Sequence, residues 1–383
     1  VGGPANQFHD GGFILTMSKK RIAVLTSGGD CPGLNAVIRG VVSSAAKLGW
    51  ETIGFIDGFE GILPMPEPRY VVLDQQETAN IMKLGGTILG TTNKGHFVAK
   101  VGKGDRVAIP DNVLEMTKKT VKDLKLDAIV AIGGDGSLTT ALQLHDNGIP
   151  VVGVPKTIDN DLESTAMTFG FDSAVACVTD SLDRLHTTAD SHKRVIVLEV
   201  MGRHAGWIAL YGGFAGGADA ILIPEIPFSL DTVAEHIKRR DRAGWKSSMV
   251  VVAEGAKPAT GEQIRHETGS GEYRLGGIGE FVGKELAKRT HKEVRTCVLG
   301  HLQRGGVPTT LDRILGTRFG LWAVKLIKEQ KFGCMVSYQN YEMRDVPIAA
   351  AVHKIRRVAP QGQFVQAARS VDICFGDEDF SKL

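Results

Sequence analysis

The chain has 383 residues, 43% hydrophobic and 23% charged, which is the composition of a globular protein and enough length for two domains. Its net charge of +2 excludes a general attraction to nucleic acid or acidic membrane, so affinity for anions must come from local clusters. Cys31, Cys177, Cys297, Cys334 and Cys374 are scattered and lack CxxC spacing, which argues against a disulfide framework or zinc site and for a reducing cytoplasm. No apolar run is long enough to span a bilayer.

Residues 1–17 are Gly-rich, lack the basic start of a secretory signal, and read as a flexible extension before a natural start at Met17-Ser18-Lys19-Lys20. Arg21 to Thr26 (RIAVLT) then predicts a strand, which ends in Ser27-Gly28-Gly29-Asp30 and is followed by a helix over Leu34 to Leu48. The same strand-then-turn device recurs. Ala128 to Ile132 ends in Gly133-Gly134-Asp135-Gly136-Ser137, and Pro150 to Val154 ends in Pro155-Lys156-Thr157-Ile158-Asp159-Asn160-Asp161. Val195 to Val200 ends in Met201-Gly202-Arg203, Met249 to Ala253 in Glu254-Gly255, and Arg295 to Leu299 in GHLQRGG.

Near-continuous apolar strands of this length predict burial on both faces, hence parallel sheets covered by helices. The expected fold is α/β, with two Rossmann-like three-layer domains and the site in the cleft between them. Ligands bind at the carboxyl ends of strands in such sheets, so the polar turns should converge on that cleft.

The chemistry follows from those turns. Glycines at 28 and 29 let backbone amides approach a phosphate in front of a helix N-terminus, although a Gly-Gly pair alone is equally a plain tight turn. Asp135 inside a second glycine turn makes sense beside a phosphate when a cation such as magnesium sits between them; capping of the next helix is the competing reading. Asp159 and Asp161 lie two residues apart and share one face if the segment stays extended, one placed to take a hydroxyl proton and the other to hold magnesium. Arg194, Arg203, Arg295, His301 and Arg304 supply cations suited to a sugar phosphate, each of them also readable as a surface salt bridge.

Together the runs LTSGGDCPGLNAVIRG, GGTILG, IGGDGS, PKTIDNDL, EVMGRHAGWIAL, PEIPF, AEG and LGHLQRGG, in that order from about Lys20 to Phe319, closely resemble the 6-phosphofructokinase family. The resemblance implies transfer of a phosphoryl group from ATP, with Mg2+, to the 1-hydroxyl of fructose 6-phosphate in glycolysis. It implies Asp159 as catalytic base, with Arg203 and Thr157 also catalytic, and Asp135 and Asp161 on the metal. It assigns the donor to Gly28, Asn93, Lys94, Gly134, Asp135, Gly136 and Ser137. Thr157, Met201, Gly202, Arg203 and Glu254 are assigned to fructose, and His301 and Arg304 to its 6-phosphate. Arg194 and Arg295 are implied to reach in from a neighbouring subunit, so a homodimer or homotetramer is expected. The donor domain is expected over residues 18–170 with about 303–350, and the sugar-phosphate domain over 171–302 with about 351–383.

Three features depart from the family's common pattern: the donor turn, the run at Asn93 and the effector pocket. Gly136 matches ATP users, where pyrophosphate users carry Asp, whereas Lys156 matches pyrophosphate users; Gly136 acts directly on the α-phosphate space and favours ATP. Asn93 stands where an Arg is common, with Lys94 beside it as a substitute cation of different geometry. Arg39 is present, but Ser43 and His186 replace arginines of the usual effector pocket, which implies altered or absent control there. A pyrophosphate-dependent phosphotransferase is the alternative within the family, and a non-catalytic sugar-phosphate sensor is the alternative of another class, although TIDND and GGD are intact. A Rossmann dehydrogenase would need a GxGxxG after the first strand, which is absent. A kinase of NAD or lipid would share GGDG but not GHLQRGG.

Overall fold

The computed structural model describes residues 19–92, 94–97, 108–261, 265–267, 273–275 and 277–380; the expected extension over residues 1–17 lies outside them. The first half runs β1 (Arg21–Thr26), α1 (Leu34–Lys47), β2 (Glu51–Phe55), β3 (Tyr70–Val72), α2 (Asp111–Asp123), β4 (Ala128–Gly133), α3 (Asp135–Asp146), β5 (Val151–Pro155) and α4 (Phe171–His192). It continues with β6 (Val195–Val200), α5 (Trp207–Ala215), β7 (Ala220–Leu222), α6 (Leu230–Arg242), β8 (Ser248–Ala253) and a short ribbon of β9 (Arg265–Glu267) and β10 (Tyr273–Leu275). The last part is α7 (Ile278–Thr290), β11 (Val294–Val298), α8 (Thr310–Lys328), β12 (Cys334–Gln339), β13 (Glu342–Pro347), α9 (Ile348–Ala351) and α10 (Gln363–Ser370).

Two sheets organise these elements. The first has strand order β13-β12-β5-β4-β1-β2-β3, parallel except for its edge strands β3 and β13; the second, β11-β6-β8-β7, is parallel throughout. Alternation in the strands sends side chains to opposite layers. Ile22 and Val24 of β1 pack with α1 and α8, while Ala23 and Leu25 pack with α2 and α3. In the second sheet Ile196 and Leu198 join α4 and α5, and Val195 and Val197 join α6 and α7. The layers holding α1, α8, α4 and α5 form one continuous core between the sheets.

The fully apolar runs are buried on both faces, as in β1, β4, β5, β6 and β8. The expectation fails for β11, which is half-exposed because it is the free edge of its sheet. The polar residues Arg295 and Thr296 in its sequence fit that position.

Candidate active site

One cleft of about 420 Å³ runs along the carboxyl ends of β5, β4, β1 and β2 and is closed from the other side by the ends of β6 and β8. It is lined first by the two glycine turns. After β1, Gly28 adopts φ +82°, a left-handed conformation natural to glycine, and its carbonyl accepts a hydrogen bond from Thr91 Oγ1 at 2.7 Å. After β4 the chain enters α3 at Asp135, so Asp135, Gly136 and Ser137 form a first helical turn that faces the cleft. The unsatisfied amides of such a turn and the helix dipole attract anions. A Cβ on Gly133 would lie 2.2 Å from Ser137 Cβ, so the turn closes only with glycine there.

The segment after β5 is not extended. The chain turns at Ile158 and Asp159, and Asn160 takes φ +51°. Asp159 and Asp161 nonetheless both line the cleft, through a local hydrogen-bond scaffold rather than strand alternation. Thr157 Oγ1 accepts from the Asp159 amide at 3.1 Å and donates to Asp161 Oδ1 at 3.1 Å. Asn160, buried, accepts from the Thr168 amide at 3.1 Å and so anchors the loop.

Asp159 Oδ1 is buried and has no hydrogen-bond partner among the described residues. Burial is the main force lifting the Asp159 carboxyl to about 7; the negative charges of Asp161 and Glu254 add to it, and Arg304 and Lys156 oppose it. Asp161 is also pushed up by burial, against the Thr157 hydroxyl that stabilises its charged form. Glu254, after β8, is raised by burial and then by Glu199. A buried carboxyl with a raised pKa in a cleft lined by glycine turns is the arrangement expected of a general base.

The arginines come from the second sheet. Arg203 lines the cleft beside Glu254, and its loop is pinned by Glu225, which accepts from the amides of Gly206 (3.1 Å) and Val358 (2.8 Å). Arg304, on the 3-10 turn Gly300–Arg304, reaches across the cleft and donates from Nη1 to the Asp30 carbonyl at 3.1 Å. Met201 and Gly202 are buried at the end of β6, where the Met201 amide donates to Gln303 Oε1 at 3.2 Å. Lys156 lies beneath the first glycine turn, buried, with its ammonium donating to the Gly29 carbonyl. Burial pulls its pKa down.

Of the residues singled out in the sequence, Gly28, Lys94, Gly134, Asp135, Gly136, Ser137, Thr157, Asp159, Asp161, Arg203, Glu254 and Arg304 line the cleft. Asn93 lies outside the described residues. His301 is exposed and does not line the cleft, although it shares the turn of Arg304. Arg194 and Arg295 also stand apart from it, both paired with Glu293 at 2.8 and 2.5 Å near the exposed edge of the second sheet. Sequence reasoning missed Phe59, Glu60, Phe97, Thr140 and His204 in the lining. Glu60 sits in the 3-10 turn Gly58–Ile62 and Phe97 in a loop, neither carrying a periodic signal. The Gly58 that opens that turn, at φ +68°, was the available clue.

Glycine turns, a helix N-terminus, buried carboxylates and arginines facing one another at strand ends define an α/β protein that handles phosphorylated ligands. The chain belongs to the phosphofructokinase family, whose sequence profile matches residues 21–327. It is 52% identical over 95% of its length, and 100% of the relative's, to a Chloroflexus aurantiacus protein named ATP-dependent 6-phosphofructokinase. It is also 47% identical, over 89% of the chain and 97% of the relative, to an Amycolatopsis methanolica protein named pyrophosphate–fructose 6-phosphate 1-phosphotransferase. Among solved structures, phosphofructokinase from Saccharomyces cerevisiae superposes with a TM-score of 0.75 at 30% identity; the match covers 88% of this chain and 45% of that longer one.

Proposed function

We propose that this chain transfers the terminal phosphoryl group of MgATP to the 1-hydroxyl of fructose 6-phosphate, giving fructose 1,6-bisphosphate and ADP in glycolysis, with Asp159 as general base. The observation that carries the reading is the buried Asp159 carboxyl with its unpartnered Oδ1, on a loop whose Asp159 amide is fixed by Thr157, in the same cleft as two glycine turns. In this reading Asp159 takes the proton of the attacking hydroxyl while Arg203 steadies the transferring group. The amides around Gly28 and the first turn of α3 hold the donor phosphates in line. Thr157 and Glu254 hold the sugar from the cleft lining with Met201 and Gly202 buried behind it, and Arg304 holds its 6-phosphate, joined by His301, which stands on the same turn outside the cleft lining.

The residues fit magnesium. Among the described residues no cluster of three or more His, Cys, Asp or Glu forms a metal cage, but Asp135 and Asp161 face one cleft. Magnesium takes one or two carboxylates and completes its shell with water and phosphate oxygens. Asp135 and Asp161 would hold it; when bound, it neutralises and bridges the donor phosphates.

The direction of the cleft favours ATP. From the loop after β5 to the turn after β2 it crosses three strand spacings, about 14 Å at the usual interval. The glycine turns occupy the middle of that path, so space remains beyond them for a nucleoside. Lys156 and the Amycolatopsis relative favour the second reading, in which pyrophosphate is the donor. We assign residues 18–170 with about 303–350 to the donor domain and 171–302 with about 351–383 to the sugar-phosphate domain. In this reading Arg194, just before β6, and Arg295, on the edge strand β11, complete a neighbouring subunit's site in a homodimer or homotetramer; their position outside their own chain's cleft supports it. A cytoplasmic setting suits five free cysteines, and no helix among the described residues is long and apolar enough to cross a membrane.

Asp159→Ser is expected to lower turnover by at least roughly 100-fold with little change in either KM. Steady-state kinetics showing turnover within a few-fold of the parent would remove Asp159 from the role of base.

A further inference from the structure

At the β2 end of the cleft, beyond the glycine turns, Glu60 lines the wall together with Phe59 and Phe97. Phe59 and Phe97 pack with centroids 5.5 Å apart, and the Phe97 carbonyl accepts from Thr140 Oγ1 of α3 at 3.2 Å. The Glu60 carboxylate is largely buried and held at both oxygens: Oε1 accepts from the His96 amide at 2.6 Å, and Oε2 bonds His96 Nδ1 at 2.9 Å. The chain can close over it only through Gly95, at φ +116°, because a Cβ there would lie 2.3 Å from the carboxylate.

We propose that Glu60, oriented by His96, is the specificity-determining acceptor that reads the nucleoside of the phosphoryl donor. This rests on the phosphotransferase reading above and extends it. Each carboxylate oxygen has two lone pairs, and His96 uses one on each, so acceptor capacity remains toward the cleft. A carboxylate cannot attract a phosphate. It serves a ligand group that donates hydrogen bonds, and on a nucleoside triphosphate these are the ribose hydroxyls and the exocyclic amine of adenine. Phe59 and Phe97 are themselves buried in the core beneath this end of the cleft, so they give Glu60 a rigid backing. Pyrophosphate carries no such donor and gains nothing from Glu60, so the residue biases the cleft toward a nucleotide.

The test is initial-rate kinetics of the full chain at saturating fructose 6-phosphate and magnesium, with ATP, 2′-deoxy-ATP, 3′-deoxy-ATP, ITP and pyrophosphate as donors. For Glu60→Leu, KM for ATP is expected to rise roughly tenfold or more through loss of a charge-assisted hydrogen bond, with kcat within a few-fold and KM for the sugar unchanged. Glu60→Gln keeps the shape and one acceptor, and is expected to fall between parent and Leu. The parent is expected to disfavour one analogue by a similar factor: a deoxy-ATP if the contact is to ribose, ITP if it is to the amine. Glu60→Leu erases that preference. A parent that uses ATP and treats all four nucleotides alike, with both variants within twofold of it, overturns the assignment of Glu60 and leaves the phosphotransferase reading standing. A parent that makes product with pyrophosphate and not with ATP overturns both the ATP reading and this one.

Discussion

Asp159 is held by forces that oppose its ionisation, with burial first and the like charges of Asp161 and Glu254 next. A base must be deprotonated to act, so kcat/KM for the sugar should fall as pH drops through about 7 in the free enzyme. Removing a neighbouring negative charge should ease ionisation. Asp161→Asn is therefore expected to move this acid limb to lower pH, beside any loss of rate, and a pH profile with an unmoved midpoint would contradict the electrostatic account. The same raised pKa has a cost in stability. Between the ordinary value of 3.8 and about 7 the folded state binds more protons than the unfolded one, so stability declines as pH rises through that window. Asp159→Asn should then melt at higher temperature than the parent at pH 8, with the difference shrinking near pH 4. The positions of Asp135 and Asp159 were readable because each lies in the polar turn after a buried strand. Asp159 and Asp161 were expected to share one face of an extended chain, whereas the turn at Asn160 and the Thr157 scaffold bring both to the cleft.

At the scale of elements, the packing of α1 on α8 shows how glycines set distance. A Cβ on Gly320 would lie 2.3 Å from the Val37 carbonyl, and one on Gly40 would lie 2.6 Å from that of Thr317, so the helix backbones touch. Gly320→Ala should destabilise the fold by roughly 1–3 kcal/mol through overpacking, seen as a lower denaturant midpoint with little change in KM. An unchanged midpoint would mean that the helices separate without penalty. The strands read from the sequence as apolar runs, β1, β4, β5, β6, β8 and β11, begin and end within one residue of the observed ones. β2, with its polar Glu51 and Thr52, was passed over, as were β12, which turns polar at Ser337 and Gln339, and the three-residue β7. They complete the sheets through tertiary pairing, which local pattern does not encode.

At the scale of the molecule, two arginines expected at the sugar site stand away from their own chain's cleft, Arg295 on the exposed edge strand β11 and Arg194 just before β6. If each completes a neighbour's site, two inactive variants damaged in different parts should rescue one another. Mixing Arg295→Ala with Asp159→Ser subunits after dissociation and reassembly is expected to restore activity, up to about a quarter of the parent's for randomly paired shared sites. Mixtures no more active than their components would place Arg295 outside the site. The central claim concerns the reaction itself, and one measurement tests it most directly: formation of fructose 1,6-bisphosphate from fructose 6-phosphate and magnesium, with ATP or pyrophosphate as donor. Product with ATP and little with pyrophosphate is the predicted result. Product with pyrophosphate alone, or with neither donor, would contradict it.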